Sequence, residues 1–587
     1  MILLRVYKNP LGKTFRDYFC CNYNDYVWQV MREANLFLEG KVDIFGIESS
    51  VADLLDDIDP TTKEKWPRKH YKEYWFHAGS APGDVKFTWE YMKHNFLISL
   101  GKSYVLTKDE KYVKAGKEYI EKWLAKTDDW IGVSWVGHVH ICQRMINWFA
   151  WLDLCKDSNL LDSDFYIKVD NYISKQQALL EEEYPNPRNN HKLVSLTTIV
   201  LCHLHFGKYD KAEPWLNKLQ EVVDQLIFPD GGFIEQSVSY HRLCVEALLI
   251  LGISLKNHGY AIPEFILKAV ERSLHYFNAI ETPDGKLPII GDNSNEIMIA
   301  RPTDFWETEY LYQLAASIGV KVRSITSPDP DALFYLGEIQ LFTQSSNITN
   351  QFEFPRTGHY VIKESKDYAF LRAGEFGMYM PNSRGGHPHS HCDQLGLVLY
   401  LGGIEVLTDP GTYRYNESDF ERYIMKDESS HSTFSVDDTH QGIYTSSFSY
   451  DMAIDGSGRI EDGQIIGELA LGGVEATRKV TLNQGNCVIE DKYTVVDAKE
   501  HDLKLYFCLN PRFTVVKKEP NRIILQHIGS CRFLALEHDL DSLPVIQPGY
   551  VSREYNQAKP NQHLIFTVPL KENKKATFRF HYVPTKN

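Results

Sequence analysis

From about residue 83 to 320 the apolar residues recur with a helical period, and beyond about residue 355 they alternate with a period of two. No single all-α or all-β layer accommodates both patterns, so the chain must be divided. In the first region Asp84 is placed to cap a helix carrying Trp89, Met92, Phe96 and Leu100. Val113, Ile120, Trp123 and Leu124 follow, then Ile141, Met145, Trp148, Phe149 and Leu152. Further helices are expected at 164–182, 191–206, 211–228, 238–256, 263–279 and 303–318. In the second region Phe578, Phe580 and Tyr582 alternate with Thr577, Arg579 and His581. Similar strands are expected over 359–373, 395–408, 464–482, 487–497, 503–509 and 522–536. The fold class read from this is α+β multidomain. An N-terminal paired-helix array over 81–323, an (α/α) toroid or a solenoid, precedes a C-terminal antiparallel β-sandwich over 356–587. A turn-rich linker is expected at 324–355, and residues 1–80 extend and pack on the helical domain.

A length of 587 residues with 43% hydrophobic content supports two or three domains. The formal charge of −15 argues against nucleic acid or an anionic membrane as partner, because both need an extended basic surface. Aromatic residues make up 13% of the chain, which would suit a groove that stacks sugar rings. The ten cysteines show no regular metal spacing, and Cys142, Cys202 and Cys244 lie in apolar helical runs, so reduced core cysteines are expected. The opening Met1-Ile-Leu-Leu-Arg-Val-Tyr-Lys lacks a signal-peptide core and a membrane span. The chain as it stands therefore reads as cytoplasmic, or as periplasmic or secreted where a leader has been removed. The sequence is compatible with a homo-oligomer.

Chemistry concentrates in Gly385-Gly386-His387-Pro388-His389-Ser390-His391-Cys392-Asp393. In an extended segment this spacing puts three imidazoles and a carboxylate on one face. Downstream lie Thr408-Asp409-Pro410-Gly411-Thr412-Tyr413 and Ser430-His431-Ser432-Thr433, and an Asp with a distant His can complete a zinc-type ligand set. In the helical half, Asn186-Pro187-Arg188-Asn189-Asn190-His191 precedes one helix, and Asp230-Gly231-Gly232 through Ser237-Val238-Ser239-Tyr240-His241 precedes another. Each alone reads as a capping loop or Gly turn, and Gly291-Asp292-Asn293-Ser294 as a polar turn.

In this order the segments resemble the heparinase II/III superfamily of polysaccharide lyases, over roughly residues 80–450 by motif. The resemblance implies an (α/α) toroid joined to a β-sandwich, with the active site in the cleft between them. It implies Tyr240 and His389 as the catalytic pair, with Asn190 and His191 engaging the substrate carboxylate. It implies His391, Asp409 and His431 as ligands of a structural divalent metal, zinc by its donor set. Arg188, Arg384, His241 and Tyr415 are further substrate-binding candidates, and Tyr415 and Tyr423 are weaker candidates for an assisting tyrosine. His387 adds a third histidine to the usual pattern and leaves the register open by two residues, and His-Ser-Thr replaces the more usual His-Asn-Thr.

Such an enzyme removes the proton beside a uronate carboxylate and needs donors to neutralise that carboxylate as carbanion character develops. A base and an acid must then act on the proton and on the leaving glycosidic oxygen. The expected partner is an acidic polysaccharide or oligosaccharide, with heparin or heparan sulfate-like glycosaminoglycans ahead of alginate. Two alternatives stand beside this. A glycoside hydrolase on an α/α barrel would use two carboxylic acids drawn from Asp230, Glu235 and Asp292. A non-catalytic glycan-binding protein would tolerate loss of Tyr240.

Overall fold

The computed structural model describes residues 4–7, 13–74, 82–127, 129–183, 189–299, 304–343, 349–378, 386–415, 419–437, 439–530 and 532–583. The chain divides into two compact units. One comprises Met1–Leu226, Arg242–Leu274 and Glu296–Ser346; the other comprises Ile227–His241, His275–Asn295 and Asn347–Asn587. The fold class is the expected one, with helices of the toroid type preceding antiparallel sheets. The division is not contiguous in sequence, however. Two segments, 227–241 and 275–295, belong with the sheets; each joins an interhelical loop to one end of a helix.

The helical unit is built around helices buried on every side. In His138–Cys155 every residue after His138 is buried, which is why its sequence shows little amphipathicity. Outer helices keep one apolar stripe, as in Glu213–Leu226, where Leu216, Leu219, Val222, Val223 and Leu226 face inward. Asp84 caps Val85–Met92 by accepting the Lys86 N–H at 3.0 Å, and Asn189 caps Asn190–His205 through the Lys192 N–H. Residues 324–355 are not a plain linker. They contain the helix Pro330–Leu336, whose buried Asp331 accepts from Tyr26 Oη (2.5 Å) and Lys102 Nζ (2.9 Å). The Tyr26 contact ties the N-terminal extension into the same unit.

The second unit holds an eight-, a five- and a four-stranded antiparallel sheet that contribute to one core, including Leu371, Leu399, Ile489, Phe507, Phe566, Phe578 and Phe580. The strand Lys574–Tyr582 lies in the middle of the largest sheet, with Phe578 opposite Ile489 on one side and Phe580 opposite Leu536 on the other. Several of the strand-rich runs are hairpins. The runs 395–408 and 464–482 fold back at Gly402-Gly403 and Gly472-Gly473, all four with positive φ, as a tight two-residue turn requires. The run 359–373 turns at Ser365-Lys366.

All nine described cysteines are free, and seven of them are buried. The helix Val238–Asn257 is long and apolar enough to cross a membrane, but its apolar stretch is buried in the protein, with Lys256 exposed at its end.

Candidate active site

The site is built from irregular segments of the sheet-bearing unit. Ser237 caps the helix Val238–Asn257, its Oγ accepting from the Tyr240 N–H (3.2 Å) and donating to the Asp292 carbonyl (2.7 Å). Tyr240 is thereby fixed in the first helical turn, beside the loop that carries Asp292. Gly291 makes the next approach possible: its φ is +68°, and a β-carbon there would overlap the carbonyl oxygens of Gln236 and His389. The Asp292 N–H donates to the His389 carbonyl at 3.0 Å, which ties the 292 loop to the histidine segment.

The Tyr240 and His389 rings stack with centroids 3.9 Å apart and planes 19° apart. The Tyr240 hydroxyl lies 3.0 Å from the Tyr415 hydroxyl and accepts from Ser294 Oγ, also at 3.0 Å. Burial, with Tyr240 and Asp292 nearby, raises the Tyr415 phenol well above its ordinary range, so it stays an O–H donor. His389 Nδ1 is 2.9 Å from Asp292 Oδ2, and its Nε2 is 3.6 Å from Glu235 Oε2.

The three histidines do not share a face. The backbone here is not a strand, and His387 adopts φ +65°; its ring packs edge-on against Phe376. His389 and His391 instead reach opposite oxygens of Asp292, with His391 Nε2 3.0 Å from Oδ1. His389 is the histidine that stacks on Tyr240 and contacts Asp292. Asp393, the last member of the motif, is taken up by an ion pair with Arg372.

Asp292 is the residue the sequence did not single out as central. Its side chain is fully buried, Arg422 forks onto both its oxygens, and Thr412 Oγ1 donates to Oδ1 at 3.3 Å. Burial opposes its ionisation, but Arg422, Lys426 and the two imidazoles override that and hold the carboxyl well below the usual range. Arg422 lies in the helix Asp419–Lys426, outside every motif. The only local signal was that Asp292 occupies a polar loop beside a glycine.

His391, Asp409 and His431 come together as buried side chains. His391 Nδ1 faces His431 Nε2 at 3.2 Å, and Asp409 Oδ2 is 3.5 Å from His431 Nε2. Each imidazole has its other nitrogen engaged, His391 on Asp292 and His431 Nδ1 on the Asp427 carbonyl at 2.8 Å. Burial lowers both imidazoles, His391 to about 4, and raises the Asp409 carboxyl well above its ordinary range. Two neutral imidazoles oriented by outer partners and one carboxylate form a donor set that fits a divalent cation such as zinc.

Two expectations change. His241 is fully buried, stacked on Phe233 with centroids 5.1 Å apart and set edge-on to Phe277, so it packs the helix start and is not presented to substrate. Tyr415 is buried with its hydroxyl against that of Tyr240, the place of an assisting tyrosine and not of a direct substrate contact. Tyr423 packs against Tyr444, 5.3 Å between centroids. Asn190 and His191 belong to the helical unit, Asn190 buried as the first residue of its helix and His191 half-buried. There the Trp89 ring stacks on His140 at 4.6 Å, and burial, with Lys86 and Lys93 nearby, holds His140 well below its ordinary range. Arg188 and Arg384 lie outside the described residues.

Residues 55–310 match the family described as heparinase II/III N-terminus, and residues 349–580 match heparinase II/III-like, C-terminal. Among solved structures, one described as heparinase III superposes with a TM-score of 0.63 at 14% identity, covering 96% of this chain and 92% of that one. A heparan sulfate lyase from Pedobacter heparinus gives 0.58 at 15% identity, covering 97% and 87%. A chondroitinase AC lyase gives 0.51 at 10%, covering 95% and 83%. These likenesses establish the fold. No curated protein sequence matches the chain.

Proposed function

Because the chain belongs to the heparinase II/III family and is a polysaccharide lyase, we propose that it cleaves a uronic-acid-containing glycan by β-elimination, with Tyr240 and His389 dividing the proton transfers. The observation that carries this reading is the Tyr240–His389 stack, its phenol oxygen held by two hydroxyls and its imidazole held by Asp292. When Tyr240 loses its proton, Tyr415 and Ser294 can both donate to the phenolate, which makes the anion accessible as a base. His389 Nε2 takes the proton that Tyr240 gives up; the proton taken from the carbon beside the uronate carboxylate then resides on the phenol, and the imidazolium passes its proton to the leaving glycosidic oxygen as the C–O bond breaks. Asn190 and His191 are assigned to the substrate carboxylate, where amide and imidazole N–H donors offset the developing charge.

His391, Asp409 and His431 would hold a divalent ion, which we take to be zinc. When bound it would neutralise the buried Asp409 and cross-link the histidine segment to the Asp-Pro-Gly and His-Ser-Thr turns. The hydrolase alternative lacks a free carboxylic pair. Asp292 is committed to Arg422 and two imidazoles, and Asp230 accepts from the Thr357 N–H (2.9 Å) and Oγ1 (2.8 Å).

For substrate we place heparan sulfate-type glycosaminoglycans first, because the fold relatives that cover most of this chain include a heparan sulfate lyase and a heparinase III. The test is incubation with heparan sulfate, chondroitin sulfate and alginate, following the ultraviolet absorbance of the unsaturated uronate. A rise with heparan sulfate supports the reading in full, and a rise only with another uronate polymer corrects the substrate. Saturated products alone would overturn β-elimination.

A further inference from the structure

Asp292 is joined to both halves of the site by one carboxylate group. Oδ2 takes the His389 Nδ1 contact at 2.9 Å and Oδ1 takes the His391 Nε2 contact at 3.0 Å, with Arg422 across both oxygens and Thr412 on Oδ1. A carboxylate offers about four acceptor sites, so this one is fully used and its orientation is over-determined. Its backbone is fixed too, the N–H on the His389 carbonyl and the carbonyl on Ser237, the residue that caps the Tyr240 helix. A carboxylate can only accept. Each imidazole must therefore direct an N–H at Asp292, which leaves the opposite nitrogen of each ring, His389 Nε2 and His391 Nδ1, without that proton in the neutral state.

We propose that Asp292 is the positioning residue of this enzyme: one buried carboxylate, set by Arg422, fixes the tautomer and ring orientation of His389 for proton transfer and of His391 for the His391/Asp409/His431 cluster. The proposal rests on the reading of Tyr240 and His389 as the proton-transfer pair. It goes beyond that reading in making the two histidine functions depend on a single side chain, so that they fail together.

The decisive variant is Asp292→Asn, which keeps the shape but turns one acceptor oxygen into an N–H2 donor that cannot serve an imidazole N–H. Loss of an outer partner that orients a site histidine typically costs 10–100-fold in metal affinity or activity. We expect kcat to fall by about 10–100-fold with KM within about twofold, and the affinity for added zinc, read by competition with a chromogenic chelator, to fall by a similar factor. The hydrogen-bonded imidazole N–H proton resonances that vanish in a His389→Ala/His391→Ala double variant should also be lost or shifted. Because Asp292→Asn leaves Arg422 buried without its partner, Asp292→Asn/Arg422→Gln removes both charges and should show the same paired loss in a folded protein.

The outcome that overturns the proposal is wild-type kcat, zinc affinity or imidazole resonances in a folded Asp292 variant, since any one of these would show that histidine standing without Asp292. If wild-type protein releases no unsaturated product from any uronate polymer, the functional reading fails. The zinc and resonance measurements then still decide whether Asp292 orders the two histidines, because neither depends on turnover.

Discussion

Arg478 and Arg422 are both fully buried in the sheet-bearing unit, and each forks onto a carboxylate. Arg478 and Asp491 face each other across paired strands, Nε and Nη2 each 2.8 Å from a carboxylate oxygen. The remaining Nη1 donates to the carbonyls of Leu395 and Ser432, and Tyr493 Oη donates to Asp491 at 3.0 Å. The side-chain donors to Asp491 are a guanidinium and a phenol. Arg422 forks end-on, Nη1 and Nη2 each on one oxygen of Asp292, and Asp292 also takes two imidazoles, one from the proposed catalytic pair and one from the proposed metal-ligand cluster. Burial and pairing therefore do not separate a structural ion pair from a functional one. The acceptor sites left over, and what fills them, do so.

The strongest way to break this distinction is at the phenol. Tyr240→Phe keeps the ring and its stack on His389 and removes only the oxygen that Tyr415 and Ser294 hold. Turnover should fall by about 10²–10⁴-fold while the thermal midpoint moves little. Near-normal turnover would make Tyr240 a packing residue and leave proton transfer to His389 with another partner. At the other pair the effect should be on stability alone. Asp491→Asn leaves the Arg478 guanidinium buried and uncompensated, at a cost of about 3–5 kcal/mol. Denaturant titration should show that loss, with turnover per folded molecule unchanged; a fall in turnover at unchanged stability would erase the contrast between the pairs.

The metal cluster sharpens the comparison from a third side. Saturating zinc at about 100 times its dissociation constant should stabilise the wild type by about 2.7 kcal/mol and leave His431→Ala nearly unshifted. Equal shifts in thermal midpoint for both proteins would remove His431 from the ligand set. The smallest effect is expected at His501, whose ring bridges Asp437 and Asp497 at 2.8 Å each, far in sequence from every site residue in the helical unit. Hydrogen bonds to those two carboxylates raise its pKa above the ordinary 6.5. A raised folded value means the stabilisation is complete below about pH 6.5 and is lost as pH rises through the folded value. Thermal midpoints of wild type and His501→Gln should therefore differ at about pH 5.5 and converge toward about pH 8, with activity unaffected; a gap that widens with pH would reverse the assignment.

Much of the architecture was legible along the chain because helix and strand periods are local. The expected helices at 164–182 and 263–279 are observed as Ser163–Glu183 and Glu264–Ile280. The turns inside the strand-rich runs are less legible: Gly402-Gly403 and Gly472-Gly473 turn the chain in two residues, too briefly to interrupt an alternating apolar pattern. In the site, the sequence singled out Tyr240, His389, His391, Asp409 and His431, because unusual residue types at short spacings announce themselves. It could not choose between His387 and His389, since the left-handed turn at His387 that separates them is invisible to a count of residues.

By itself, then, the sequence determined the two-part α and β organisation and the short motifs, because both depend on neighbours within a few residues. Only the tertiary structure decided the wiring. Asp292 meets His389 across 97 positions and Arg422 across 130, and a lone aspartate in a polar loop carries no mark of partners that distant. Whether a carboxylate closes a turn or orders two imidazoles is settled by what folding brings to its four acceptor sites, and that depends on contacts no local pattern encodes.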